Sequence, residues 1–245
     1  MRELVLSDIT EMGPGFCVIG VERVGEDSFR SVRPVPPREN AWRNTFRYRR
    51  GSVVQFDPAP TSAARPHIED QITRGLSSRG GCLTEVELVD FLRRAEISVG
   101  LDGLFECELH TDTSGGNAWV APDSAARSIC GCQYKNVRFR VFEDPGRVRL
   151  RAKLVLPSGE TLNSLPVVDR EWRNLLYAFM KEHSNPRVPS DFESFLNRSI
   201  RPQLMKAPHG FARIGLARAK PNEEKCWLML DSLFPQPNVS WLSSP

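Results

Sequence analysis

The run Lys135-Asn-Val-Arg-Phe-Arg-Val-Phe142, then Glu143-Asp-Pro-Gly146, then Arg147-Val-Arg-Leu-Arg-Ala-Lys-Leu-Val-Leu156 decides the reading of the fold. Both arms alternate at period two, the pattern of a half-buried strand. Val137, Phe139 and Val141 share one face of the first arm; Val148, Leu150, Ala152, Leu154 and Leu156 share one face of the second. Asp144-Pro145-Gly146 between them is turn chemistry, with proline presetting φ and glycine tolerating positive φ. An even loop predicts Phe139 opposite Leu150 and Val141 opposite Val148, apolar on apolar. The same register sets Arg140 opposite Arg149 and Arg138 opposite Arg151, with Arg147 and Lys153 on that outer face. Like charges directly opposite destabilise a strand pair, so folding alone does not account for them. A polyanion lying across the ribbon would. The competing reading is a solvated face, or one neutralised by Glu106 or Glu108 of a neighbouring strand.

Outward from the hairpin, charge is unevenly spread. Gln133 to Arg218 holds 16 Lys/Arg against 8 Asp/Glu, while the rest of the 245 residues holds 17 against 22. Such asymmetry points to an anionic partner. Hydrophobic content of 40% and charged content of 26% place the chain among ordinary globular proteins. No apolar run approaches the roughly 18 residues of a membrane span, and Asp8 interrupts the apolar N-terminus, so neither membrane nor signal peptide is expected. Six cysteines at Cys17, Cys82, Cys107, Cys130, Cys132 and Cys226 do not read as a disulfide framework, so a cytoplasmic setting is expected.

The N-terminal part predicts strands at Glu3–Thr10, Phe16–Glu22, Phe29 to about Pro34, and Gly51–Pro58, with a fifth in prospect. Close turn signals between them argue a small antiparallel barrel. Thr73–Cys82, with Gly75, Gly80 and Gly81, reads as a loose stretch. Thr84-Glu-Val-Glu87 is a capping box opening a helix through Leu88, Val89, Phe91 and Leu92. Leu104–His110 alternates like a strand, and Asn117–Ile129 has no resolvable pattern.

After the basic hairpin come a third strand through Thr161–Leu165 and a helix capped by Asp169 (169–182). Its inner face is Trp172, Leu175, Leu176, Phe179 and Met180. Ser190-Asp-Phe-Glu193 predicts a second capping box and a helix over 190–199. Two strands, Phe211–Arg218 and Cys226–Phe234, close the chain. Three strands, a helix, then two strands is the element order of an OB-fold. The expected architecture is mainly β with a few helices: two tandem OB-like small β-barrels, 1–100 with an appended helix and 101–245. An SH3-like barrel or one larger barrel are the alternatives.

The chain resembles the prokaryotic dual OB-domain family. The resemblance is carried by Leu4-Val-Leu-Ser-Asp-Ile-Thr10, Phe16-Cys-Val-Ile-Gly-Val21, Ser31-Val-Arg-Pro-Val35, Val53-Val-Gln-Phe-Asp57, Pro66-His-Ile-Glu-Asp70, Arg213-Ile-Gly-Leu-Ala-Arg218 and Cys226-Trp-Leu-Met-Leu230. It spans nearly the whole length, and the order of the segments is more specific than any one. It implies tandem OB folds and a nucleic-acid-binding role in a bacterial defence or mobile-element system. It supplies no catalytic residues.

Three constellations remain. Trp42, Arg43, Arg47, Tyr48 and Arg49 interleave aromatics with cations, a mixture suited to single strands, although Trp42 and Phe46 four apart could equally cap a barrel. His67, Glu69 and Asp70 are the tightest cluster of metal-capable side chains, with His110 and Asp112 as distant supplements. They read either as a ligand set or as a polar latch between elements. Cys130-Gly-Cys132 has one residue between its thiols where zinc motifs use two to four, and reads as a free thiol pair. Nothing resembles a P-loop or a nucleophile elbow. The expected function is a non-enzymatic module that binds single-stranded nucleic acid, with no cofactor. Its site is Arg138, Arg140, Phe142, Arg147, Arg149, Arg151 and Lys153, with Phe142 and Tyr134 as stacking platforms. The alternatives are a metal-dependent nuclease centred on His67, Glu69 and Asp70, or a protein-interaction scaffold serving partners of the same system.

Overall fold

The computed structural model describes residues 1–12, 15–37, 41–43, 47–59, 65–95, 100–111, 116–144, 147–183, 188–206, 210–220 and 222–235. Five strands form a closed barrel: β1 (Arg2–Met12), β2 (Gly15–Arg23), β3 (Phe29–Val35), β4 (Ser52–Pro58) and β5 (Asp70–Cys82). Their order is β1-β2-β3-β5-β4, closed by β4 against β1. All pairs are antiparallel except β3 with β5. Leu4, Leu6, Val18, Val32, Val54 and Phe56 fill the interior.

β3 continues one residue past Pro34 to Val35, because its neighbour there is the parallel β5, paired Pro34 to Gln71 and Val35 to Ile72. β5 corrects the reading of Thr73–Cys82 as loose chain. Only Thr73 among its residues is buried, so no apolar alternation announced it. Pairing with β4 and β3 through the backbone makes it a strand. α1 (Glu85–Ala95) follows, and its capping box forms: the Thr84 amide donates to Glu87 Oε2 at 2.8 Å, and the Glu87 amide donates to Thr84 Oγ1 at 3.3 Å. Leu88 and Leu92 of α1 pack with Val21 of β2 and with Phe211 and Phe234 from the C-terminal strands.

Leu104–His110 is not a strand. Leu104 and Phe105 are both wholly buried, which alternation forbids, and Phe105 and Glu106 turn the chain at φ 59° and 55°. Only β6 (His110–Thr111) is extended there, followed by β7 (Ala118–Val120) and β8 (Ile129–Tyr134). The hairpin is β9 (Asn136–Asp144) and β10 (Arg147–Val155); β11 (Thr161–Pro166), α2 (Arg170–Glu182), α3 (Val188–Phe195), a π-helical turn Leu196–Ile200, α4 (Arg201–Leu204), β12 (Gly210–Leu216) and β13 (Cys226–Phe234) complete the chain. Asp169 caps α2 through the Glu171 amide at 2.9 Å. α3 is already under way at Val188, so Ser190 sits within its first turn and is not its cap. The helix expected over 190–199 is broken by the π turn.

The C-terminal strands form sheets β11-β10-β9 and β6-β7-β13-β12-β8. Only Lys135 separates β8 from β9, and Val167 makes a parallel bridge to Leu230 of β13. Counted as one strand, β8–β9 is therefore followed around the wall by β10, β11, β13 and β12. That is the circular order of the first barrel, again with a parallel contact between its third and fifth members. α2 lies between the third and fourth, burying Trp172, Leu175, Leu176 and Phe179 in the shared core. The fold is mainly β, a closed five-stranded barrel beside a second, partly open one.

Candidate nucleic-acid interface

The hairpin pairs as Leu150 with Val141, Ala152 with Phe139 and Leu154 with Val137. This is two residues off the expected register, because pairing runs down to Asp144 and Arg147 on either side of Pro145-Gly146. A shift of two keeps every side chain on its face. Val137, Phe139, Val141, Leu150, Ala152 and Leu154 are buried, while Arg138, Arg140, Phe142, Arg147, Arg149 and Lys153 are exposed and Arg151 is half-buried. Like charges still meet: Arg140 stands opposite Arg151, and Arg138 opposite Lys153. Phe142 stands opposite Arg149, and Arg147 opposite Asp144.

The cations differ in their partners. Arg149 pairs with Asp144 at 2.9 Å. Arg151 donates to the Ser164 carbonyl at 2.7 Å and lies 5.5 Å from the Phe142 ring centroid. Burial, and after it the charge of Arg149, pull the Arg151 guanidinium below its usual range. Arg138, Arg140, Arg147 and Lys153 have no ion pair among the described residues, and of these Arg147 alone stands opposite an acid, Asp144. Glu106 pairs with Arg127, and among the described residues Glu108 contacts only His110, at 4.0 Å, so neither neutralises the ribbon there. Alternate strand residues sit ~6.6 Å apart, so Arg138, Arg140 and Lys153 on two neighbouring strands form a compact positive strip beside the exposed Phe142 ring.

Tyr134 does not belong to this surface. Its side chain is fully buried and its hydroxyl donates to the Phe234 carbonyl at 2.7 Å. Burial pushes the phenol far up from its ordinary value. It ends β8, and the chain bends at Lys135 before β9 begins. Arg213 is likewise wholly buried, not a surface cation.

The outer edge of β9 is closed by side chains. Asn197 of the π turn accepts from the Phe139 amide at 3.1 Å and donates to its carbonyl at 2.9 Å, while Glu193 accepts from the Val141 amide at 2.8 Å. An amide and a carboxylate here imitate a neighbouring strand, which shields an edge from pairing with another chain. No local pattern in 190–199 announces this role.

In the second patch, Trp42 and Tyr48 are half-buried against the first barrel's core. The Trp42 indole donates to the Pro34 carbonyl at 2.9 Å, and the Tyr48 hydroxyl to the Leu76 carbonyl at 2.9 Å. They cap the barrel; Phe46, which the sequence pairs with Trp42, lies outside the described residues. Arg43, Arg47 and Arg49 are exposed around them.

His67, Glu69 and Asp70 lie in a polar seam between the barrels. Arg33 donates to His67 Nδ1 and to Asp70 Oδ1, both at 2.9 Å, and to Ser128 Oγ at 2.9 Å. Glu69 accepts from the Ser128 amide and hydroxyl at 2.8 Å each, and Asp70 also pairs with Arg218. Burial, and then the Arg33 charge, hold His67 down at about 3. His67 Nδ1 and the Glu69 and Asp70 carboxylates face guanidinium groups and a serine, His67 Nε2 is buried without a hydrogen-bond partner, and no group of three metal-capable side chains gathers among the described residues. Asp112 lies outside them, and the His110 ring lies against that of Trp119. Cys130 and Cys132 are buried and in no disulfide among the described residues.

Deeper in the seam, Arg213 of β12 donates to Asp8 Oδ2 at 3.3 Å and to Ser31 Oγ at 3.1 Å across the two barrels. Asp231, fully enclosed and close to Asp8, is pushed up to about 8 by burial first and the Asp8 charge second. Arg50 pairs with buried Asp169 at 2.8 Å, and the Glu11 amide donates to the Val168 carbonyl at 2.9 Å. Pro66-His-Ile-Glu-Asp70 is thus hydrogen-bonded both to Arg33 of β3 and to Ser128 beside β8. No family model, curated protein or solved structure matches this chain.

Proposed function

We propose that the chain binds single-stranded nucleic acid through the outer face of β9 and β10. One observation carries this: Arg138, Arg140 and Lys153 crowd together, exposed and without an acid among the described residues, although like charges opposite one another cost stability. A row of cations tracks phosphates without reading bases, and affinity then falls as salt displaces the gain from released counterions. Phe142, 39% exposed beside the row, offers a face to a base. Two barrels with OB-like strand order suit the same reading, since OB folds present oligonucleotide-binding faces. It agrees with the resemblance to dual OB-domain proteins and with a role in a bacterial defence or mobile-element system.

The test is anisotropy of labelled oligo-dT and oligo-U over a range of salt. Wild type binds and weakens steeply with salt; Arg138→Gln/Arg140→Gln/Lys153→Gln flattens the logarithmic slope by about 2, the share of three single-strand phosphates. An unchanged slope removes the ribbon. Chelator leaves binding unaltered, whereas chelator-sensitive cleavage of the labelled strand moves the assignment to an enzyme.

A further inference from the structure

The sheet edge β6–β7–β13 carries a row of rings in direct register. His110 stands opposite Trp119, and Trp119 opposite Trp227. The His110 and Trp119 rings are 4.5 Å apart and tilted by 32°. Strand alternation sets their direction. Ala118, Val120, Cys226 and Leu228 are buried in the core, so the intervening Trp119 and Trp227 turn outward and remain half-buried. Lys225, two residues before Trp227 on the same face, places its ammonium 4.8 Å from the Trp119 centroid and 5.3 Å from that of Trp227. Glu223 and Glu224 are the acids of the adjoining loop, and Glu223 is held by Lys220 at 3.0 Å.

Cross-strand aromatic pairs stabilise a sheet edge, but that role is served as well by β-branched residues. What two outward indoles and an imidazole in line add is a broad π surface, over which the flexible Lys225 side chain now lies. Every base has a π face, so such a surface accepts any sequence. We propose that His110, Trp119 and Trp227 form a stacking platform for bases of a single-stranded nucleic acid. The platform rests on the nucleic-acid reading above and adds a second contact, on a different wall of the same barrel from the ribbon.

Stacking neutralises no phosphate, so the two contacts separate by salt dependence. Wild type, Trp119→Thr/Trp227→Thr and the three-Gln ribbon variant are compared by anisotropy with oligo-dT over a range of salt. Wild type is also photo-crosslinked to an oligonucleotide containing 5-iodouracil, and the attached peptides are mapped. The expected result is about tenfold weaker binding by the Trp variant with the salt slope unchanged, and cross-links at Trp119 or Trp227. A Trp variant that binds as wild type, with cross-links elsewhere, overturns the platform; loss of binding by the ribbon variant then leaves the ribbon standing. The converse pattern keeps the platform and removes the ribbon. No binding by wild type at low salt overturns both. If circular dichroism shows the Trp variant unfolded, the wild-type cross-link map decides alone.

Discussion

Arg140 and Arg151 stand opposite one another on neighbouring strands, and among the described residues only Arg151 finds other company, in Ser164 and Phe142. Relieving that repulsion should help the fold while harming the proposed contact. Arg140→Gln is expected to raise stability by about 0.2–1 kcal/mol in urea melts while weakening oligonucleotide affinity. A destabilised variant would show that the face is neutralised within the molecule. Buried charge behaves in the opposite way at Asp231. Its folded value of about 8 lies above its ordinary 3.8, so the native state keeps a proton that the unfolded chain has released. Stability is therefore greatest below the unfolded value and falls as pH rises toward 8. Asp169, raised to about 6, has the same sign over a lower range; His67, held down at about 3 from 6.5, has the opposite sign below 6.5. Between about pH 6.5 and 8 Asp231 dominates these three. Urea melts should show a loss approaching 1.4 kcal/mol per pH unit, and Asp231→Asn should remove that slope. Gly215 completes the site, because a Cβ there would collide with the Asp231 carboxylate.

At the scale of elements, the hairpin shows how much periodicity carries. Alternation placed each side chain of β9 and β10 on its face, and a two-residue slip in register left that unchanged. Patterning worked equally well for α1 and α2, whose caps and apolar faces are local. It failed at β5, where exposed polar residues and glycines are held by backbone pairing, and at Leu104–His110, where consecutive buried residues sit in a turn. The closure of β9 by Asn197 and Glu193 was invisible because its partners lie 58 and 52 residues apart. Asn197→Ala should cost about 1–3 kcal/mol by stripping the Phe139 amide and carbonyl, read as a lower urea midpoint. Light scattering should also show more self-association through the opened edge. A variant as stable and as soluble as wild type would show that the π turn merely lies alongside.

Across the whole molecule, the seam decides how the barrels sit. Arg213, Asp8, Ser31 and Arg33 are buried where β1, β3 and β12 meet, and α1 adds an apolar wedge of Leu88 and Leu92. Removing one partner from a buried ion pair leaves an uncompensated charge, at about 3–5 kcal/mol. Arg213→Ala should therefore lower stability by that order and split one cooperative urea transition into two, followed by tryptophan fluorescence and circular dichroism together. Coincident transitions in the variant would show that the apolar wedge alone couples the barrels.

The amino-acid sequence by itself determined the class of fold, the strands and helices with a clear period, and the basic outer face of the hairpin, because each follows from spacing within a short stretch. Tertiary structure alone decided that Tyr134 and Arg213 turn inward, that Trp42 and Tyr48 cap a barrel, and that His67, Glu69 and Asp70 meet Arg33 and Ser128. It also brought Trp119 and Trp227 side by side. Burial and partnership depend on chain far away in sequence, and no local pattern encodes which distant residue will arrive.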